Sequence, residues 1–291
     1  MEHEKTLNLS HGISIRYRVS EPGGINSQLP TLVLIHGVAS NLTRWTEFVN
    51  KTTLKSRYRI IRLDLRGHAG SQTNAGVGMK NWCLDLITLL DTEKVNRAFI
   101  VGHSLGAQVA LNLADRFPNR VAGLVLIDPI VPSALKGNLA MGPYIRWFLS
   151  AFASLASIWR RLFFSRHRFP LRDLYELDQK TRVLIARDPT ANLADLYHSP
   201  SLDMKYISVA NYVRDMCEVL RPLPPLAKIR VPVLALLARD PSVSDGAHNR
   251  EKMQQMPNIT IETIDADHWP LTEKPDETRE AIEKWCNARF E

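Results

Sequence analysis

Short apolar stretches alternate with amphipathic stretches along the first 130 residues of the chain. Gly12–Ser20 alternates apolar and polar residues with period two, as an antiparallel strand at a sheet edge does. Thr31–Gly37 is continuously apolar, as expected of a strand buried on both faces. The further strands predicted here are Tyr58–Gly67, Arg97–Gly102 and Val121–Asp128, and the helices are Arg44–Leu54, Met79–Leu90 and Leu105–Phe117. Strands that alternate with helices predict an α/β fold with a doubly wound, mostly parallel sheet, for which we expect eight strands.

The same alternation returns near the C-terminus, after a long interruption. The strands predicted there are Val231–Ala238 and Ile259–Asp267, and the helices are Asn249–Met256 and Pro275–Phe290. In residues 131–225 strand signals vanish, and apolar residues recur at helical spacing, as in Phe148, Phe152, Leu155, Trp159 and Leu162. We therefore predict a core domain formed by residues 1–130 and 226–291, with a helical cap inserted at residues 131–225.

The positive charge of the chain is concentrated in one segment. The net charge is +7, and between Pro129 and Arg172 there are one Lys and six Arg but no Asp or Glu. A nucleic-acid-binding protein would be basic more uniformly, so we expect no nucleic-acid partner. An apolar helical face beside basic residues is typical of helices that lie on a membrane surface, and this contact stays open beside a merely solvated basic face.

Cysteine usage and the apolar runs indicate the compartment. Cys83, Cys217 and Cys286 form no C-x-x-C pair, which favours free buried thiols in a reducing compartment. The N-terminal residues lack the apolar stretch of a secretory signal, and Trp147–Trp159 is too short for a bilayer span of about 20 residues. No metal-ligand spacing or phosphate-binding loop is present. We expect a cytoplasmic protein that needs no metal and no cofactor.

The stretch Gly102-His103-Ser104-Leu105-Gly106 has G-x-S-x-G spacing, which places a serine on a sharp turn between a strand and a helix. The pattern arises by chance in such a chain with a probability of about 0.1, so its context decides. A predicted strand precedes it and a predicted helix follows it. We therefore predict that Ser104 is a nucleophile and not only a helix cap.

A serine nucleophile needs a base, and the base needs an orienting acid, in the chain order serine, acid, histidine. His268 follows the last predicted strand, and His68, after the third predicted strand, is its rival. Asp240 follows the strand Val231–Ala238 and is the favoured acid, while Asp128 stands in the same relation to the preceding strand. Asp245, in the loop after Asp240, is a third candidate.

Two loops are predicted to supply backbone donors to a developing oxyanion. These donors are the N–H groups of Val38 and Leu105, and Gly37 would let the first loop turn inward. His36 and His103 flank the two motifs, and both are predicted, with Gly37, to contact the substrate.

Six stretches together resemble the α/β-hydrolase superfamily, namely LIHGVASN, RLDLRGHAGS, VGHSLGAQVA, LVLIDP, VPVLALLARD and DADHWPLTEKPDE. The resemblance implies Ser104 as nucleophile, His268 as base, Asp240 as acid and the Val38 and Leu105 amides as oxyanion donors. One position departs from the family, which commonly has glycine three residues before the acid, where this chain has Leu237. Family members with an aspartate nucleophile are disfavoured, because the turn holds a serine.

The family fixes the machinery better than the substrate. The face formed by Phe148, Phe152 and Trp159 could line an acyl pocket or dock the cap on the core. We expect hydrolysis of small carboxylic esters with fairly apolar acyl groups through an acyl-enzyme. The alternatives are hydrolysis of a carbon–carbon bond in ring-cleavage diketones and, in another class, a ligand receptor on a hydrolase scaffold.

Overall fold

The computed structural model describes residues 2–22, 29–73, 75–137, 141–163, 169–188, 197, 199–239 and 241–289, with the side chains of residues 143 and 157–163 left out. Its sheet has eight strands in the order β1-β2-β4-β3-β5-β6-β7-β8, which confirms the predicted fold class. The strands are β1 Glu2–Asn8, β2 Ser14–Ser20, β3 Thr31–Ile35, β4 Arg59–Leu63, β5 Ala98–His103, β6 Val121–Ile127, β7 Val233–Ala238 and β8 Ile259–Ile264. β2 is antiparallel to both of its neighbours, and all other pairs are parallel.

Helices connect these strands on both faces of the sheet. They are α1 Thr46–Lys51, α2 Met79–Thr92, α3 Leu105–Arg116, α4 Gly142–Phe163, α5 Leu174–Arg187, α6 Pro200–Asp203, α7 Val209–Val219, α8 Gly246–Met253, α9 Pro270–Glu273 and α10 Pro275–Asn287. Most lie within a few residues of their predicted bounds. α8 begins three residues earlier than predicted, because the Asp245 carboxylate accepts the His248 N–H at 3.0 Å and caps the helix.

β1 occupies the sheet edge that the sequence pattern assigned to β2. Leu7 is the only buried residue of β1, so the strand carries almost no apolar periodicity. Instead, Glu2 pairs with Arg62 at 2.5 Å and Glu4 pairs with Arg16 at 2.8 Å. Charged side chains on an exposed edge are a common protection against further strand pairing.

Alternate residues of the central strands point to opposite faces of the sheet and pack into two apolar layers. Val33 and its neighbours pack with α2 and α3 through residues such as Leu86 and Val109. Leu34 packs on the opposite face with α1 and α10, through residues such as Phe48. The carboxyl ends of the parallel strands therefore meet at one edge between two helical layers, where ligand sites form in open α/β sheets.

The helices α4 to α7 lie between β6 and β7, within the region where we predicted a helical insertion. We call residues 131–225 the insert. Two buried ion pairs join it to the rest of the chain. Arg44 Nη1 lies 2.5 Å from Oδ1 of Asp178 on α5, and His68 Nε2 lies 2.7 Å from Oδ2 of Asp215 on α7.

Candidate active site

Ser104 alone forms the turn between β5 and α3. Its backbone angles, φ 54° and ψ −116°, lie in a region that residues with a side chain rarely adopt. A Cβ added to Gly102 would lie 2.3 Å from the Gly106 oxygen, and one added to Gly106 would lie 2.3 Å from the Ile35 oxygen. The two glycines therefore allow β5, α3 and β3 to meet closely, which confirms the spacing argument from the sequence.

His268 follows β8 and contacts both Ser104 and a carboxylate. Its Nε2 lies 3.0 Å from Ser104 Oγ, and its Nδ1 lies 2.6 Å from Asp128 Oδ2. Because an ionised carboxylate only accepts hydrogen bonds, Nδ1 carries the proton and donates it to Asp128. Nε2 then accepts the Ser104 hydroxyl hydrogen. All three residues are buried.

The acid in contact with His268 is Asp128, the second of the three sequence candidates. Asp128 directly follows β6, and its Oδ1 accepts the Ala238 N–H at 3.1 Å, which ties it to the end of β7. The preference for Asp240 is therefore corrected to Asp128; Asp240 itself lies outside the described residues. Asp245 caps α8 instead. The sheet order explains the outcome, since β6 lies directly beside β5 and β7 lies one strand further away.

The loop that carries His268 is held by side chains that the sequence reading missed or assigned otherwise. Glu273 on α9 accepts the Asp267 N–H at 3.1 Å and the Trp269 N–H at 3.3 Å, on either side of the histidine. Burial raises the pKa of Glu273. His103 Nε2 donates to the His268 carbonyl at 2.9 Å. The described contacts of His103 therefore position the histidine loop, and its predicted contact with substrate stays a prediction.

The loop with His36, Gly37 and Val38 runs directly beside the serine. A Cβ added to Gly37 would lie 3.3 Å from the Ser104 Cβ, so a side chain here would require its neighbours to shift by a few tenths of an ångström. Leu105 is the first residue of α3, so its N–H has no partner within the helix. Leu105 directly follows Ser104 and Val38 directly follows Gly37, and the role of their N–H groups as oxyanion donors stays a prediction.

His36 fixes the shape of this loop. Its Nε2 accepts the Leu65 N–H at 3.0 Å, and its Nδ1 donates to the Gly37 carbonyl at 2.8 Å. Burial lowers the pKa of His36 well below its usual value and keeps the ring neutral. Because both ring nitrogens are engaged, the predicted contact of His36 with substrate is replaced by a role in positioning Gly37.

The rival histidine, His68, lies elsewhere. It is bonded to Asp215 of the insert and lies 4.9 Å from the ring of His36, centre to centre. Burial alone would lower the pKa of His68, but the charge and hydrogen bond of Asp215 outweigh burial and raise it. His68 therefore belongs to the contact between the core and the insert.

The aromatic face of α4 points away from the protein. Phe148 is 77% exposed and Phe152 is 53% exposed, so more than half of each side chain is in contact with solvent. The two predicted roles of this face, lining an acyl pocket and docking the cap on the core, receive no support from these two residues. The side chain of Trp159 lies outside the described residues. A small, shallow cleft does lie between the insert and the core, next to the loop that follows Val38; it is lined by Ala39, Ser40, Asn41, His68, Ala69, Pro170, Arg172, Tyr206 and Ile207.

The remaining sequence predictions concern metals, thiols and membranes. Cys83, Cys217 and Cys286 are buried and free, as predicted. Across the described ranges, no group of three His, Cys, Asp or Glu side chains is arranged to hold a metal ion. No helix in the same part of the chain has the length and apolar character needed to cross a bilayer.

A serine on a strained strand-to-helix turn, at the carboxyl edge of a parallel sheet and bonded to a histidine with its own carboxylate, defines the α/β-hydrolase class of architecture. The chain belongs to the alpha/beta hydrolase family, whose sequence profile matches residues 32–281.

Known proteins similar to this chain differ in their reactions. The dihydrolipoyllysine-residue acetyltransferase component of the acetoin cleaving system of Pseudomonas putida is 36% identical over 121 residues, which are 41% of this chain and 31% of that protein. The 2-hydroxy-6-oxo-2,4-heptadienoate hydrolase of Pseudomonas putida is 32% identical over 117 residues, 37% of this chain and 42% of that protein. The matches thus span between about a third and two fifths of these relatives. Among solved structures, the enol-lactonase of Burkholderia xenovorans superposes with a TM-score of 0.69 at 20% identity and covers 97% of this chain and 100% of that one.

Proposed function

We propose that this protein is a serine hydrolase that cleaves carboxylic esters through an acyl-enzyme. The observation that carries the proposal is the continuous hydrogen-bonded path from Ser104 Oγ through His268 to Asp128, with distances of 3.0 Å and 2.6 Å. Its geometry is within the range expected of a nucleophile and its base. The preference for apolar acyl groups receives no support from Phe148 and Phe152, because both are exposed.

The reaction follows from the positions of the protons. His268 Nε2 takes the Ser104 proton while Oγ attacks the ester carbonyl, and Asp128 stabilises the imidazolium that forms. The oxyanion of the tetrahedral intermediate would accept hydrogen bonds from the Leu105 and Val38 N–H groups. Collapse of the intermediate breaks the ester C–O bond, and the imidazolium gives its proton to the leaving alkoxide. A water molecule deprotonated by His268 then attacks the acyl carbon. Collapse of this second tetrahedral intermediate breaks the bond to Ser104 Oγ, which takes the proton back from His268 as the acid is released.

The experiment is labelling with a fluorophosphonate, followed by a panel of p-nitrophenyl esters of increasing acyl length. We expect covalent labelling at Ser104, a burst of p-nitrophenol, and loss of both in Ser104→Ala and His268→Ala. Full esterase activity in purified Ser104→Ala would refute the proposal. The panel also tests the acyl preference.

Carbon–carbon bond hydrolysis is the second candidate, because one of the similar proteins is a dienoate hydrolase. Turnover of a 2-hydroxy-6-oxo-dienoate without turnover of any ester would favour this reaction. Tight ligand binding without turnover of either substrate would favour a receptor.

A further inference from the structure

Helix α4 presents an aromatic face to solvent. Seven large apolar side chains in this part of the described chain are exposed by 42% or more, namely Met141 just before the helix and Tyr144, Ile145, Trp147, Phe148, Phe152 and Leu155 within it. Residues 144, 148, 152 and 155 lie at helical spacing and form one stripe along the helix. We call these seven residues the α4 patch.

The opposite side of α4 is closely packed. A Cβ added to Gly142 would lie 2.4 Å from the Leu220 side chain, and Ala153 is fully buried. The Cys217 thiol on α7 contacts the Arg146 carbonyl at 3.7 Å. Gly142 and Ala153 thus lie on the packed side of α4, and the seven residues of the α4 patch are exposed. The α4 patch is therefore built into the fold and does not result from a badly docked helix.

A contiguous exposed apolar patch of this size marks an interaction surface in most folded proteins. Its composition indicates the kind of partner. Tyr144 and Trp147 are amphipathic aromatic residues, which concentrate where an apolar phase meets a polar one. The Arg146 guanidinium lies 5.4 Å from the centre of the Trp147 ring, so a cation lies next to one of the most exposed residues of the α4 patch.

The charge around the α4 patch selects among partners. Residues 129–172 carry one Lys and six Arg and no acidic residue, and Arg146, Arg160 and Arg161 belong to α4 itself. A second copy of the chain docked through the same face would bring two such cationic segments together, and like charges oppose this arrangement. Anionic lipid headgroups attract such a segment instead.

We propose that α4 is an interfacial helix that docks the protein on an anionic phospholipid bilayer. The aromatic stripe would enter the boundary between headgroups and acyl chains, with the helix lying in the plane of the membrane. This contact does not depend on the proposed ester hydrolysis, because no residue of the α4 patch takes part in the hydrogen bonds of Ser104, His268 and Asp128.

Co-sedimentation of the full chain with vesicles tests the proposal. The vesicles are phosphatidylcholine alone or with about one third phosphatidylglycerol. We expect binding to the anionic vesicles and binding to neutral vesicles that is weaker by about tenfold or more. Bound protein should be released when salt is raised from about 0.1 M to about 0.5 M. The double variant Trp147→Ser, Phe148→Ser should weaken binding by about tenfold or more, since the buried apolar area drives insertion.

Leu84→Ser is the matched control, because Leu84 is a 42% exposed apolar residue on α2 outside the patch. It should bind like the wild type, and so should Ser104→Ala, which separates docking from catalysis. Unchanged thermal midpoints would show that the variants are folded. Wild-type binding by the double variant would overturn the proposal, and so would the absence of binding by the folded wild type. A lipid-independent dimer in light scattering that the double variant abolishes would assign the patch to self-association and also overturn it.

Discussion

Replacing Asp128 with asparagine should disable the proposed hydrolase without disturbing its fold. The carboxylate has two partners: Oδ2 accepts from His268 Nδ1 at 2.6 Å, and Oδ1 accepts from the Ala238 N–H at 3.1 Å. The Ala238 N–H is a fixed backbone donor, so the amide oxygen of the asparagine must face it. The amide NH2 group then faces His268 and can only donate to Nδ1.

This reversal puts the histidine proton on Nε2, the atom that has to accept the Ser104 hydroxyl hydrogen. In other serine hydrolases of this design, such a tautomer change lowers kcat by about 10⁴, which corresponds to about 5 kcal/mol of transition-state stabilisation. We expect Asp128→Asn to show a loss of that order in kcat for p-nitrophenyl ester hydrolysis. Fluorophosphonate labelling of Ser104 should slow in parallel, because it uses the same base.

Two matched substitutions make the measurement decisive. Asp245→Asn changes an exposed cap of α8, and Asp240→Asn changes the carboxylate that the sequence pattern favoured. Both should keep kcat within about threefold of the wild type, since neither is expected to act on His268. The reasoning is wrong if Asp240→Asn loses more activity than Asp128→Asn, with circular dichroism showing both variants folded.

Three further variants test other parts of the structure. Gly106→Ala would place a Cβ 2.3 Å from the backbone oxygen of Ile35, so urea unfolding should show a loss of about 1–3 kcal/mol or more; wild-type stability would contradict the close approach. Asp215→Asn should cost about 3–5 kcal/mol, because it leaves the buried His68 without its charged partner. Since Asp215 raises the pKa of His68, this loss should be largest below about pH 6.5 and shrink as the pH rises through the raised value; a loss independent of pH between about 5 and 9 would argue against a charged His68. Glu273→Gln should lower kcat by about tenfold with little change in KM or in unfolding free energy, because the amide retains only one acceptor for the two N–H groups that flank His268; an unchanged kcat would separate this clamp from catalysis.

The sequence predicts the central sheet well because burial on both faces leaves a strong local signal. β3 and β7 are continuous apolar runs, and every residue of each is buried. β1 gives no such signal, since backbone pairing with β2, ion pairs and one buried leucine hold it at the edge. Local pattern therefore predicts the interior of the sheet better than its margin.

The candidate site also contains residues that local sequence identifies and one that it does not. Ser104 and His268 can be found from short motifs, because the turn and the loop that carry them are encoded by neighbouring residues. The choice between Asp128 and Asp240 depends on which strand lies beside β5, and strand order is a property of the folded sheet. The one local hint was Leu237, which stands where the family commonly has glycine before its acid.

Helical periodicity predicted α4 correctly but did not predict the direction of its apolar face. An apolar stripe ordinarily faces the core, and here Phe148 and Phe152 face solvent. The small residues Gly142 and Ala153 make the contact with the rest of the insert instead. Periodicity identifies a stripe, and the space available to each side chain decides what the stripe covers.

The buried ion pairs between core and insert explain how a mostly helical segment keeps one orientation over the sheet. Arg44 and Asp178 are 134 residues apart, and His68 and Asp215 are 147 apart, so no local pattern could pair them. Burying a charge is costly unless its partner is buried beside it. If the insert docked in a shifted position, both pairs would be broken while their charges stayed buried. Opening the whole insert would instead return all four groups to water, where hydration offsets the lost attraction. The pairs therefore favour one docked arrangement over other closed arrangements more strongly than they oppose opening.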